Sequence, residues 1–334
     1  MRDHLTLFCC PKPFQDHIGI IQRNAILSWL RLSSPPQVIL LGEEEGIADL
    51  AHELHIPHIP SLACTPQGTP RVDALFAAAQ AYARTPWLGY INADILLMDD
   101  FSDAFQLFLR EMDRSRQTRA LLTSQRVDIF LHDLINFTNT AWQTDLRELV
   151  ERTGARMPKI AIDLFVFNHG LYQDLPPLAL GRTCWDNYLM WEARERGAAI
   201  VDASDTFMLV HQCHGYAHAG GSENAWKGQE AAQNQSLTQG RMLTILDATH
   251  MLDKRGLRRG KPKADFDQEA FVIQKIRAGL AELERGNVQS AKDLLENLVT
   301  YIQGLRHARD QRERGRVVNR VRRLTRKVEK LVGH

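Results

Sequence analysis

Three short apolar runs, each closed by a turn signal and separated by stretches of helical periodicity, govern what this chain can fold into. Leu5-Thr-Leu-Phe-Cys-Cys10 stops at Pro11 and Pro13, Val38-Ile-Leu-Leu41 stops at Gly42, and Leu88-Gly-Tyr-Ile91 runs into Asn92-Ala-Asp94. Apolar runs this short, bounded by Pro and Gly, read as buried strands. The stretches between them, residues 18–32, 47–54 and 71–84, space their apolar side chains as helices do. In the third, Leu75, Phe76, Ala79 and Tyr82 share a face, and Thr69-Pro70 stands at its start, where a missing N–H costs nothing. Strands alternating with helices predict an α/β fold, a mostly parallel central sheet with helices on both faces.

The pattern continues less regularly. Residues 120–123, 162–167 and 199–201 read as strands and 187–196 as a helix. From Gln268 onward only helical periodicity remains: residues 270–284 and 290–305 form a helical hairpin broken at Gly286-Asn287. A last amphipathic helix carries Val317, Val321, Leu324, Val328 and Leu331. The expected organisation is an α/β body over residues 1–255 and a C-terminal helical extension over 256–334.

Composition bounds the function classes. With 334 residues, 44% hydrophobic and 24% charged, the chain has the makings of a globular core rather than a disordered tail. Its net charge of +1 hides a strongly basic stretch from residue 306 to 330. Arg316, Arg320, Arg322, Arg323, Arg326, Lys327 and Lys330 surround the apolar stripe there. Such a helix lies on an anionic membrane surface, zips against a partner helix, or stands in solvent. It has no aromatic interleaving, so no nucleic-acid partner is expected. Five cysteines without a C-x-x-C pair argue against a disulfide framework and for a reducing, cytoplasmic setting. No signal-peptide core and no apolar run of transmembrane length are expected, so membrane contact would be peripheral.

Three clusters carry chemistry. In Tyr90-Ile-Asn92-Ala-Asp94 a strand ends in polar groups, and ligands bind at the carboxyl ends of strands in open α/β sheets. A carboxylate there suits Mg2+ or Mn2+; the alternative is a capped turn. The second cluster is Gly181-Arg182-Thr-Cys-Trp185-Asp186-Asn187, just before a helix, where Asp186 is either an N-cap or an acid raised by burial against Trp185. Asp163 sits inside an apolar strand and needs a partner, either an acceptor hydroxyl or Arg182. The third is Val210-His211-Gln-Cys-His214-Gly-Tyr-Ala-His218, which reads as a metal-binding loop, a catalytic zinc site, or hydrogen-bonded structural histidines.

Element order and the Asn92-x-Asp94 motif resemble the GT-A glycosyltransferases, whose metal signature is Asp-x-Asp at the end of such a strand. By that resemblance Asp94 ligates Mn2+ or Mg2+, while Asn92, standing where the first acid would be, reaches the ribose or a metal-bound water. A histidine from the third cluster, His211 or His214, joins the metal and offsets the missing acid. Lys12, Gly68, Thr69 and Arg71 fall where the family binds the nucleotide, Arg71 offering a bidentate phosphate contact or else a surface salt bridge. Arg182, Trp185 and Asn187 line the donor or acceptor, and Asp186 takes the place of the general base of inverting members. The resemblance thus implies transfer of a sugar from a nucleotide-sugar donor, UDP-linked first among them, to a glycan or other hydroxyl acceptor. A non-catalytic scaffold on the same fold is the alternative. A sugar nucleotidyltransferase ranks below both, because Pro11-Lys12-Pro13-Phe14 lacks the glycines of its phosphate loop.

Overall fold

A computed structural model describes residues 1–214 and 227–262, together with the isolated positions Ile276, Gly279, Leu280 and Leu298. Its core follows from β1 (Leu5–Cys9), in which all five residues are buried. Leu5, Leu7 and Cys9 join one apolar cluster and Phe8 joins another on the opposite face. A strand apolar on both faces must be covered on both faces. Helices α1 (Asp16–Leu30) and α2 (Ile47–Glu53) cover the first, α1 burying Ala25, Ile26 and Trp29 there. Helix α3 (Val72–Tyr82) covers the second with Val72, Leu75, Phe76 and Ala79.

The central strands are β2 (Gln37–Leu41), β3 (His58–Ile59) and β4 (Trp87–Ile91). β5 (Ile95–Leu96) then leads into α4 (Asp99–Ser115). This helix buries Phe101, Phe105, Phe108 and Met112 at steps of three and four, and its first-turn acids Asp99 and Asp100 suit the positive end of the helix. Next come β6 (Ala120–Thr123), β7 (Arg126–Ile129), α5 (Trp142–Thr153), β8 (Ala155–Arg156) and β9 (Leu164–Asn168). α6 (Trp185–Glu195), β10 (Ala199–Asp202), β11 (Leu209–Gln212), α7 (Gln229–Thr238), and the hairpin β12 (His250–Asp253) and β13 (Gly256–Arg259) complete the body.

Nine strands form one sheet in the order β13-β12-β10-β6-β9-β4-β1-β2-β3. The pairs on either side of β1, β2 and β10 are parallel. The expected α/β class, with helices on both faces, is the one observed. One departure matters for the site: β9 runs antiparallel to both neighbours, β4 and β6. Its first residue therefore lies beside the last residue of β4, the pair being Ile91 and Leu164. A second sheet, β5-β11-β7-β8, was not foreseen. Its strands are two to four residues long, too short for a periodic signal.

Several boundaries shift. The first helix starts at Asp16 rather than Ile18. The third starts at Val72, because Pro70 and Arg71 are held extended in bridges to Cys64 and Ala179. The helix expected from Asn187 starts at Trp185. The division expected at residue 255 falls in the turn of the β12–β13 hairpin, and β13 still belongs to the main sheet. The hairpin at 270–305 and the basic helix lie outside the described residues, apart from the four isolated positions. None of the five cysteines forms a disulfide. Among the described residues no helix is long and apolar enough to cross a membrane.

Gly89, at the middle of β4, is closely packed by its neighbouring strands. A Cβ there would lie 2.5 Å from Leu7 Cδ2 and 3.3 Å from Val166 Cγ2. Gly89→Ala is expected to cost about 1–3 kcal/mol through overpacking. A urea unfolding curve indistinguishable from wild type would show the core to be looser than described.

Candidate active site

Strand direction gathers the polar residues at one edge. β1 ends at Cys9 and feeds Cys10–Pro13; β4 ends at Ile91 and feeds Asn92–Asp94. Because β9 is reversed, Asp163 just before it reaches the same edge, where the Asn92 N–H donates to the Asp163 carbonyl at 3.0 Å. In the small sheet, His211 pairs with Ile95 on one side and Asp128 on the other. That register brings His211 beside Asp94. Cys10–Pro13, Asn92–Asp94, Asp163 and His211 line one cavity of about 520 Å³, together with Gly68, Thr69, Arg126, Arg182, Trp185 and His214.

The floor of the cavity is a charge cluster. His214 Nε2 lies 2.9 Å from Asp94 Oδ2 and His211 Nε2 lies 3.8 Å from the same oxygen. Lys12 Nζ is 3.3 Å from His214 Nε2. Its loop is pinned by Gln22 of α1, which accepts from the Lys12 N–H at 2.6 Å and donates to the Lys12 carbonyl at 2.8 Å. Behind His211, its Nδ1 faces Asp128 Oδ1 at 3.0 Å, and Arg126 Nε stands 3.0 Å from the same oxygen. Burial opposes a charge on Asp94, yet His211, His214 and Lys12 hold its carboxyl far below the usual carboxylate range. Burial and Arg126 pull His211 down, but Asp128 and Asp94 outweigh them and lift it to about 10. Burial, then Lys12, lowers His214, and burial lowers Lys12 to about 8.

This cluster fits a divalent cation. Donor atoms of Asp94, His211 and His214 all lie within 4.8 Å of one another. Metal–ligand bonds of about 2.0–2.2 Å set adjacent donors roughly 3–3.5 Å apart, close to the separations found. Asp94 Oδ1 is buried without a hydrogen-bond partner, a costly state that a cation would relieve. The negative potential that draws a proton onto His211 would equally draw a metal, which displaces that proton on binding.

Above the floor, Arg126 forms a two-oxygen contact with Asp163 at 2.9 and 3.0 Å, and Asn92 Nδ2 donates to Asp163 Oδ1 at 2.7 Å. Asp163 is 3% exposed, so its partner is Arg126 and not the expected Arg182. Arg182 instead pairs with Glu230 of α7 at 2.9 Å, and both reach the Thr69 hydroxyl. Arg71 turns away from the cavity to Asp73, the salt-bridge alternative. Asn92 is held by Asp163 and by the Tyr90 hydroxyl, which donates to its Oδ1 at 2.8 Å. Asn187 ties α6 to the Leu243 carbonyl at 3.0 Å and is not part of the lining.

Asp186 stands in the first turn of α6, next to the lining residue Trp185. Burial raises its carboxyl to about 7; backbone N–H groups oppose the shift and Asp163 adds to it. Sequence reasoning missed Arg126, Asp128 and Glu230. Charged residues alternating with Val127 and Ile129 in Arg-Val-Asp-Ile were the available signal for the first two. His218 lies outside the described residues.

No family model and no curated protein matches the chain. Among solved structures it is similar to S. aureus TarS, residues 1–349, at 10% identity and a TM-score of 0.45, over 73% of this chain and 66% of that one. The chain thus spans just under two thirds of that fragment and 42% of the longer TarS chain. Glucosyl-3-phosphoglycerate synthase from Mycobacterium tuberculosis, in complex with Mg2+ and UDP, is similar at 12% identity and a TM-score of 0.41, over 72% and 79%. A mannosyltransferase from Pyrobaculum calidifontis, in complex with GDP-Man and Mn2+, is similar at 10% and 0.40, over 100% and 81%. At these values the likenesses are distant ones of overall shape, and function has to be read from the site.

Arg126 neutralises two carboxylates that are each 3% exposed, Asp128 and Asp163. Arg126→Leu removes the cation that both share, and the expected loss is about 3–5 kcal/mol in urea unfolding. A loss below about 1 kcal/mol, the scale of an exposed pair, would mean that water reaches this cluster.

Proposed function

We propose that the chain is a glycosyltransferase of the GT-A type, which moves a sugar from a nucleoside-diphosphate donor, UDP-linked first, to an acceptor hydroxyl. The observation that carries this reading is the convergence of Asp94, His211, His214 and Lys12 on the floor of one cavity, with Thr69 and Arg182 at its side. A cation and an ammonium side by side suit a diphosphate, which needs positive charge from more than one direction.

Asp94, His211 and His214 are the residues that would hold Mn2+ or Mg2+. A divalent ion held there supplies neutralisation of the charge that develops on a leaving diphosphate. Lys12, fixed through Gln22, holds its ammonium beside the same spot. Gly68 and Thr69 precede α3, whose N-terminus favours an anion. Arg182 is held against Thr69 by Glu230, which orients its guanidinium along the wall. Trp185 packs edge-on against Tyr90, their ring centres 5.2 Å apart, and offers an apolar surface to a sugar or base.

Two acids compete for the role of general base: Asp163 lines the cavity, and Asp186 stands beside the lining residue Trp185. Asp163 is locked by Arg126 and Asn92, so a proton placed on it would break three contacts. Asp186 carries a carboxyl raised to about 7, matched to taking a proton from a hydroxyl near neutral pH. We assign Asp186 as the base, with inversion at the transferred carbon. Where the acceptor sits on an anionic membrane surface, the basic residues 306–330 would bring the enzyme to it from the cytoplasmic side.

The test is a screen of nucleotide-sugars with purified protein, reading stabilisation and slow hydrolysis with and without Mn2+. A donor at about 100 times its Kd stabilises the fold by about 2.7 kcal/mol. Absence of both signals across UDP-, GDP- and other sugar nucleotides would remove the proposal. With a donor in hand, the wild-type rate should fall as pH drops through about 7, because only ionised Asp186 accepts a proton. Asp186→Asn should lose about 10²–10⁴-fold in turnover along with that acid limb. An Asn variant with wild-type rate and pH profile would exclude Asp186 as the base.

A further inference from the structure

We infer that the Asp94–His211–His214 centre selects borderline transition cations such as Co2+ and Zn2+ over Mg2+, and that Asp128 is the positioning residue behind that preference. The inference rests on the cavity's reading as a cation site and adds to it a ranking of cations and a role for Asp128.

The donor set points this way first. It offers one carboxylate and two imidazoles. Mg2+ demands oxygen ligands in near-octahedral array, whereas imidazole suits the later first-row metals. A second oxygen ligand is not on offer from Asn92, the residue two before Asp94. Its Oδ1 accepts from the Tyr90 hydroxyl and its Nδ2 donates to Asp163. Both ends of that amide are committed to the far wall of the cavity.

The setting of His211 points the same way. The parallel pairing of β7 and β11 places Asp128 directly across from it. The Nδ1–Asp128 contact at 3.0 Å keeps the proton on Nδ1 and turns Nε2 toward Asp94 Oδ2. Asp128 is itself fixed by Arg126 at 3.0 Å and is 3% exposed, so water cannot take its place. A carboxylate behind an imidazole raises the basicity of the outward nitrogen, which strengthens bonds to imidazole-preferring metals and does nothing for Mg2+. The buried, unpaired Oδ1 of Asp94 supplies one more lone pair on the same side chain.

The experiment is isothermal titration of the full chain, stripped of metal, with Mg2+, Mn2+, Co2+ and Zn2+ in turn. Co2+ also serves as a visible-absorption reporter of imidazole ligation. Zn2+ and Co2+ should bind tightest, Mn2+ less so, and Mg2+ at least about tenfold weaker than Co2+. Asp128→Asn should weaken Co2+ about 10–100-fold and shift its absorption, with Mg2+ little changed. If Asp128 merely supported the fold, the melting temperature would fall while the folded protein bound Co2+ as before. Should Asp128→Asn not fold, His214→Gln removes one imidazole directly and should cost Co2+ at least about tenfold. Mg2+ binding within about threefold of Co2+, or wild-type Co2+ binding in His214→Gln or in folded Asp128→Asn, would overturn the inference. UDP titrated in parallel separates the two readings. UDP binding without the cation ranking defeats this inference alone, and the ranking without any nucleotide binding defeats the proposed function alone.

Discussion

Everything at the site depends on keeping one largely buried carboxylate ionised, since the Asp94 side chain is only 13% exposed. Asp94 cannot hold its charge there unaided, since burial of an isolated carboxylate drives it to take a proton. His211, His214 and Lys12 supply the compensation, and they come from two stretches far apart in the chain. Lys12 arrives from the end of β1, His211 from β11, and His214 from just beyond it. The registers of β1 with β4 and of β5 with β11 are therefore what the chemistry rests on. Gln212 reinforces them, donating from its side chain to the carbonyls of Ile21 and Asp94 and accepting from Asn24. One buried glutamine thus stitches α1, the turn after β4 and β11 together.

Arg126 ties that centre to the rest of the cavity. Its guanidinium stands between Asp128, which backs His211, and Asp163, which holds Asn92. Asp163 in turn raises the carboxyl of Asp186. The antiparallel strand β9 makes the arrangement possible. Had it run parallel to β4, Asp163 would lie at the opposite edge of the sheet, and Arg126 would have lost its second carboxylate.

The sequence made the large elements legible because their patterns are long or their boundaries sharp. The strands at residues 5–9, 37–41 and 87–91 are continuous apolar runs ended by Pro, Gly or Asn, and residues 120–123 fall on β6. Asp94, His211 and His214 were legible as candidates from an acid at a strand end and closely spaced imidazoles, and the fold brings all three into one cavity. The direction of β9 was not legible, since an apolar run reads the same both ways. Nor was the small sheet, where β11 pairs with residues more than eighty positions earlier in the chain, such as Asp128 with His211. For Arg71 the structure takes one of the two readings the sequence left open. Its local pattern allowed a phosphate contact or a salt bridge, and Asp73, two residues on, supplies the nearer anion. Arg182 likewise found Glu230, a helix residue whose approach no local pattern announces.

The proposed chemistry requires that Asp94, His211 and His214 share one ion beside a diphosphate. Anomalous scattering from a crystal grown with Mn2+ and UDP measures this directly. A single peak within about 2.0–2.3 Å of one oxygen of Asp94 and of Nε2 on both histidines, with phosphate oxygens on its open side, is the expected result. A peak elsewhere, or UDP bound in this cavity with no metal between those three side chains, would contradict it.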